Sequence, residues 1–381
     1  MTSLRVLKFG GSSVGAADRL VRVTDLILRE AALGPIAVVV SAMGDTTDWL
    51  IDAATAAARG DTLAADALVD RIASLAIDTG TGALHELLRR HAAPVSEAAQ
   101  SPEPTATPDL PAQVAALLTP LRQVLTGVGL LRQCTPQTQD LVLSFGERLS
   151  AGILASLLPV ARQPAVFVDA RDWLVTDDRF GAALVDLAAT QARLNDLRPA
   201  WGPAVSVHTG FLGATPDGRS TTLGRNGSDY TATLLAAALG AAEVQIWTDV
   251  PGVMTGDPTI LRDAYPIARM SYQEALELAN FGARMFHPRT MVPLTQHKIV
   301  LRIRSTMDPD ADGTRIDEHG ADAAGPTCVT SLENLALLDV RWRRISHEAG
   351  VGARVLRALE QAGITVWMAN QAAHGQAVAV V

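Results

Sequence analysis

The chain has 381 residues, 48% of them hydrophobic, enough for two or three domains that each bury a core. Its 32 basic and 40 acidic residues give a formal charge of −8, which argues against nucleic acid or an anionic membrane as the main partner and leaves any anion site to be built locally. No uninterrupted apolar run reaches about 18 residues, and the start lacks a charged segment followed by an apolar one, so neither a membrane span nor a secretory signal is expected.

Arg5 to Phe9 is predicted as a buried strand that runs through Lys8 into Gly10, Gly11, Ser12 and Ser13, ahead of an amphipathic helix from about Ala16 to Ala32. Without Cβ atoms the two glycines let the backbone turn its N–H groups onto an anion, and the following helix should aim its positive end at the same spot. Lys8 adds a full charge. Because the lysine precedes the glycines, this is not the G-x-x-x-x-G-K-[ST] P-loop, and a different kind of phosphotransferase is indicated. A second strand from Ile36 to Ser41 completes a βαβ unit and hence a parallel sheet.

From Trp49 to Leu131 the chain is rich in Ala and Leu at helical spacing, interrupted by SPEPTATPDLP over Ser101 to Pro111, whose four prolines predict a surface loop. Strands are predicted at Ala165 to Val168, Ala204 to Phe211, Glu243 to Thr248 and Ile299 to Ile303. Between them lie helices near Glu147 to Leu158, Ser228 to Leu239 and Tyr272 to Phe281. The alternation predicts a three-layer α/β domain ending near residue 305. DPDADGTRIDEHGADAAGPT, residues 308–327, reads as a linker. A βαββ unit is predicted after it: a strand from Cys328 to Val340, a helix from Val351 to Ala362, and strands from Thr365 to Asn370 and Gln376 to Val381. Open sheet edges on so small a unit predict pairing with another copy or subunit.

Three more segments carry candidate chemistry. In SFGERLS, Glu147 follows a glycine at the predicted start of a helix, either as a capping carboxylate or as a site residue. In TLGRNGSDYTA, Gly224 and Gly227 bracket Arg225 and lead into Ser228, Asp229 and a helix. That pattern offers an anion cradle, an arginine able to grip a carboxylate with two hydrogen bonds, and an acid able to orient a lysine or a metal. The plainer reading is a helix capped by Ser228 or Asp229. WTDVPGVMTGDP is a strand ending in a loop, where Asp249 and Asp257 either face a ligand or form turns; Asp257, before Pro258, favours the turn. The eight histidines, His287 included, lack metal-ligand spacing and read as structural or surface groups. Cys134 and Cys328 read as two separate thiols of a cytoplasmic protein.

KFGGSSV at Lys8, VVVSAMGDTTDWL from Val38, SFGERLS, FVDARDWLVTDDRFG from Phe167, TLGRNGSDYTA, IWTDVPGVMTGDP and FGARMFHP from Phe281 occur in the order and spacing of aspartate kinases, and the chain closely resembles that family over residues 4–305. GRNGSDY and VLTGVGLLRQC look most like the kinase part of bifunctional aspartokinase–homoserine dehydrogenases. The segment from Cys328 resembles the first half of the family's ACT region. The resemblance implies a three-layer α/β/α amino acid kinase fold with a mainly parallel sheet over residues 1–307, a linker over 308–327 and a partial ACT-like α+β unit over 328–381.

It also implies transfer of the γ-phosphoryl group of ATP, with Mg2+, to the β-carboxylate of L-aspartate, the first step toward lysine, threonine and methionine. A carboxylate with a pKa near 4 is already ionised at neutral pH, so positioning and charge neutralisation would carry the catalysis without a general base. By resemblance Lys8 bridges the phosphates, Asp229 orients Lys8, and Gly10, Gly11 and Ser12 supply donors. Arg225 pairs with the α-carboxylate of the amino acid and Glu147 with its ammonium. Ser41, Thr47 and Thr222 line that pocket, while Thr248, Asp249, Asp257 and Arg284 match nucleotide-site positions.

Two departures stand out. Arg284 in FGAR replaces the usual lysine of FGAK, keeping the charge and changing the shape. The ACT-like region reaches only its third strand by Val381, as in a naturally shortened kinase that pairs its half-module in a homodimer, or a fragment of a longer chain. Gln371 matches a threonine-contacting position of the dehydrogenase-fused relatives, and lysine or threonine is the expected class of effector. Two alternatives stay open: a kinase acting on another acidic amino acid or specialised metabolite, and a non-catalytic subunit that senses an amino acid.

Overall fold

The computed structural model describes residues 3–91, 107–281, 287–321, 325, 327–341, 350–371 and 377–381. The strands are β1 (Arg5–Phe9), β2 (Ile36–Val40), β3 (Ala165–Val168), β4 (Val205–Thr209), β5 (Leu212–Ala214), β6 (Ser220–Thr222), β7 (Glu243–Thr248), β8 (Arg269–Ser271), β9 (Val300–Ser305), β10 (Thr314–Asp317), β11 (Leu338–Arg341), β12 (Ala369–Gln371) and β13 (Ala377–Val380). The α-helices are α1 (Gly11–Val14), α2 (Ala17–Leu33), α3 (Thr46–Arg59), α4 (Thr62–His91), α5 (Leu110–Leu131), α6 (Pro136–Leu157), α7 (Leu187–Leu197), α8 (Gly227–Leu239), α9 (Tyr272–Asn280), α10 (Pro288–His297) and α11 (Val351–Gln361).

Eight strands form the main sheet in the order β3-β4-β2-β1-β7-β9-β10-β8. The first six are mutually parallel, β10 runs antiparallel to β9, and β8 is parallel to β10. Helices cover both faces, so the central strands are largely buried, and alternate residues feed opposite cores. Leu7 and Phe9 of β1 join Leu50, Ile72, Leu121 and Leu154 of the α3–α6 layer, whereas Val6 joins Leu235, Ala275 and Leu294 of the α8–α10 layer. At β1 the chain goes to β2 on one side and to β7 on the other, and the crevice outside the carboxyl ends of such strands is where ligands bind in open α/β sheets.

Several boundaries differ from expectation. The predicted linker over 308–327 contains β10, which pairs with both β8 and β9, so the main domain extends past residue 307. The predicted strand from Cys328 to Val340 is reduced to Leu338–Arg341. Ahead of it the Val329 N–H donates to Thr255 O at 2.9 Å, the Thr330 hydroxyl donates to Phe281 O at 3.1 Å, and Asn334 turns with φ 58°, which breaks an extended run. Helix α6 begins at Pro136, well before Glu147, because Thr135 caps it and Pro136 occupies its first turn. The end of the proline-rich segment likewise starts α5, with Asp109 as the cap and Pro111 in the first turn; residues 101–106 lie outside the described residues.

Among the described residues α5 alone is long and apolar enough to cross a membrane, with a mean hydropathy of 1.5. One face of it joins the core, burying Leu110, Val114, Leu118, Leu121, Leu125 and Val128. Near the end of the chain β11, β13 and β12 form a separate three-stranded sheet in which β13 is antiparallel to both neighbours and α11 crosses from β11 to β12. This is the split βαβ arrangement of an α+β unit.

Candidate functional site

The site starts where β1 ends. Gly10 caps the one-turn α1 in an extended conformation, its N–H donating to Trp247 O at 3.4 Å. The Gly11 carbonyl accepts from Gly44 N at 3.1 Å, and a Cβ on Gly11 would lie 2.5 Å from the Ala42 carbonyl oxygen. Only glycine lets this turn pass beneath the loop after β2. The expected helix dipole is weaker than the pattern implied, since α1 spans 4 residues and α2 starts afresh at Ala17. Local positive charge therefore comes from Lys8. Its Nζ sits 2.6 Å from Asp229 Oδ1, with the two side chains 11% and 8% exposed. Asp229 is the third residue of α8, where a carboxylate also meets the positive helix end. Neither Ser228 nor Asp229 caps that helix; Asn226 occupies the N-cap position without a side-chain capping bond, in the left-handed region at φ 56° that asparagine tolerates.

Helix α6 forms the opposite wall. Glu147 is buried, and its Oε1 accepts from the Ala42 N–H at 3.2 Å, while Oε2 has no partner among the described residues. Burial pushes its pKa up to about 8, against the pull of the Ala42 N–H and the Lys8 charge. Close approach requires Gly146, where a Cβ would lie 2.9 Å from Ala42 Cβ. The Ser150 hydroxyl donates to Ser41 O at 2.7 Å and ties the end of β2 to the same helix. Glu147 thus stands mid-helix and faces the cleft rather than capping a helix.

Lys8, Gly10, Gly11, Ser41, Thr47, Glu147, Thr222, Arg225, Asp229, Thr248 and Asp249 line one open cleft of about 1070 Å³ at the carboxyl ends of β1, β2 and β7. Ser12 and Asp257 are not among its lining residues. The Ser12 carbonyl accepts from Arg19 at 2.9 Å, and the Asp257 carboxylate accepts from the Thr259 N–H and hydroxyl at 2.8 and 2.6 Å, as a turn former does. Arg284 lies outside the described residues, and so does the side chain of Gln371.

The structure adds Asp140 and Phe211 to the cleft. Asp140 stands seven residues before Glu147 on α6, a spacing of about two turns that puts both on one face, and this spacing was the available signal. Phe211 adopts φ 66°, rare for a bulky side chain, with its N–H donating to the Thr231 hydroxyl at 3.0 Å. A Cβ on Gly227 would lie 2.6 Å from Phe211 Cδ2, so Gly227 is where the phenyl ring meets the start of α8. No local pattern announces that conformation.

The Amino acid kinase family profile matches residues 3–305. Aspartokinase 1, chloroplastic, of Arabidopsis thaliana is 36% identical over 95% of this chain and 60% of its own length. Lysine-sensitive aspartokinase 3 of Escherichia coli is 32% identical over 96% of this chain and 76% of its own length. Bifunctional aspartokinase/homoserine dehydrogenase 1 of Zea mays is 30% identical over 98% of this chain and 39% of its own length. The chain spans about three fifths of the plant aspartokinases it matches. The crystal structure of E. coli aspartokinase III in complex with aspartate and ADP superposes with a TM-score of 0.76 at 30% identity, covering 99% of this chain and 78% of that one. By sequence and by fold, the chain belongs to the amino acid kinase family and, within it, to the aspartokinases.

Proposed function

We propose that the chain is an aspartate kinase, transferring the γ-phosphoryl group of ATP to the β-carboxylate of L-aspartate. The observation that carries this reading is the buried Glu147 with an unpartnered carboxylate oxygen, in the same cleft as the Lys8–Asp229 pair and Arg225. A negative group and a positive group on one acceptor pocket select an α-amino acid over a simple dicarboxylate, because either charge left unpaired is costly. Aspartate and ADP in the E. coli relative support the same pair of ligands here.

The geometry supports these roles. Lys8 neutralises charge on the transferring group, Asp229 holds the ammonium in place, and the Gly10–Gly11 turn brings backbone close to the phosphates. Thr248 and Asp249 flank the nucleotide side. Among the described residues no group of three His, Cys, Asp or Glu side chains could hold a metal. That donor set fits Mg2+ carried chiefly by phosphate oxygens and water, with Asp229 and Asp249 among the carboxylates that line the cleft. When bound, the ion would neutralise phosphate charge.

We assign residues 1 to about 317 to the kinase domain and 328–381 to a partial ACT-like unit that pairs with a second copy, its sheet edges β11 and β12 being open. Lysine is the effector class favoured by the relative crystallised with lysine and aspartate. A cytoplasmic site suits two unpaired cysteines whose thiol pKa values are both raised by burial. The test is ADP release with L-aspartate, L-glutamate and aspartate analogues, repeated with lysine and threonine. Turnover with another acceptor and none with L-aspartate would overturn the assignment.

A further inference from the structure

Asp140 is a carboxylate at the acceptor wall with no role so far. It is 1% exposed, and it is fully engaged by donors: its Oδ2 accepts from the Gly181 N–H and the Thr222 N–H, each at 2.9 Å, and its Oδ1 accepts from the Thr222 hydroxyl at 2.8 Å. Burial raises the Asp140 pKa and its three donors pull it back down; while ionised the carboxylate has no hydrogen to give, so the Thr222 hydroxyl spends its only hydrogen on Asp140. What remains on Thr222 Oγ1 is lone pairs, and Thr222 lines the cleft with Glu147.

We infer that Asp140 is a positioning residue that sets the polarity of the Thr222 hydroxyl, making it an obligatory hydrogen-bond acceptor for the ammonium group of the acceptor substrate. This rests on the aspartate kinase reading. A hydroxyl free to rotate would serve a carboxylate or an ammonium equally; one whose hydrogen is held by a buried acid serves only a donor. Thr222 and Glu147 then present acceptor atoms together, and both are tied to one face of α6: Glu147 by covalent position, Thr222 through Asp140 seven residues before it. The same carboxylate fixes Gly181 on the loop between β3 and α7, so the two segments facing α6 are held in register with the group they help to recognise.

Asp140→Asn tests this. The replacement keeps shape but offers one acceptor and one NH2 group; with the oxygen held by the two backbone N–H groups, the amide donates to Thr222 and turns its hydrogen toward the ligand. In steady-state assays with ATP we expect KM for L-aspartate to rise roughly ten- to a hundredfold, while KM for ATP stays within about twofold. Thr222→Val should give a similar loss, and the double variant little more than either single one. Additive losses, or an equal rise in both KM values, would mean that Asp140 only supports the fold and would overturn the inference. If Asp140→Asn does not fold, Thr222→Val carries the test by competition. The affinity ratio of L-aspartate to succinate, which lacks the amine, should fall roughly tenfold or more, and an unchanged ratio refutes the role. Absence of wild-type turnover with L-aspartate would instead remove the functional reading on which all of this stands.

Discussion

Replacing Glu147 by Gln removes an ionisable group from a buried site and leaves the volume almost unchanged. In the wild type the carboxyl has a pKa of about 8 against 4.5 when unfolded, with burial as the main cause. A raised acid pKa means that the ionised form is disfavoured in the fold: stability is unaffected below pH 4.5 and is progressively lost as pH rises toward 8. At 1.36 kcal/mol per pH unit, the penalty is about 3 kcal/mol at pH 7 and approaches about 5 kcal/mol above pH 8. The glutamine keeps an oxygen for the Ala42 N–H and escapes the titration. Urea unfolding from pH 5 to 8.5 should therefore show the variant gaining on the wild type by several kcal/mol across that range. Saturating L-aspartate should reverse the order at neutral pH, because an ammonium beside Oε2 restores the ionised form. The affinity for L-aspartate should climb by up to about tenfold per pH unit between 6 and 8 and level off above. A stability difference between variant and wild type that is the same at pH 5 and pH 8 would refute the reasoning.

Other outcomes follow from the same geometry. Lys8→Met should abolish turnover and lower stability by about 3–5 kcal/mol through the stranded Asp229, and adding Asp229→Asn should recover the melting temperature but not the activity. Gly11→Ala drives a methyl group into the Ala42 carbonyl oxygen, so nucleotide binding measured by calorimetry should weaken by at least tenfold; wild-type affinity would mean the turn is not a phosphate cradle. His208 is fully buried between Trp173 and Trp201, with burial lowering its pKa from 6.5 to about 3. Its neutral form thus contributes stability that is intact above pH 6.5 and falls by about 2 kcal/mol by pH 5. His208→Phe should flatten that acid limb, and an unchanged acid limb would place the loss elsewhere.

Much of the kinase domain is written in short segments. Apolar runs bounded by glycine at Arg5–Phe9 and Ile36–Val40 announce buried parallel strands, and Lys8 beside two glycines announces an anion turn, because these depend on neighbours in the chain. Arg225 and Asp229 are legible for the same reason. Glu147 was visible as a residue but not in its setting: the capping signal Thr135–Pro136, which moves the start of α6 away from it, lies well upstream. β10 was hidden because its run is short and flanked by Asp and Gly, and it becomes a strand only by pairing with β8 and β9. The left-handed Phe211 has no local signature at all.

By itself, then, the sequence determined the parallel sheet, the glycine turn beside Lys8 and the cast of charged residues, since periodicity, glycine and capping are local chemistry. Tertiary structure alone decided which of them meet and in what state. The Lys8–Asp229 pair, the proton on Glu147 and the direction of the Thr222 hydroxyl depend on burial and on partners distant in the chain, and burial is a property of packing that no short segment carries.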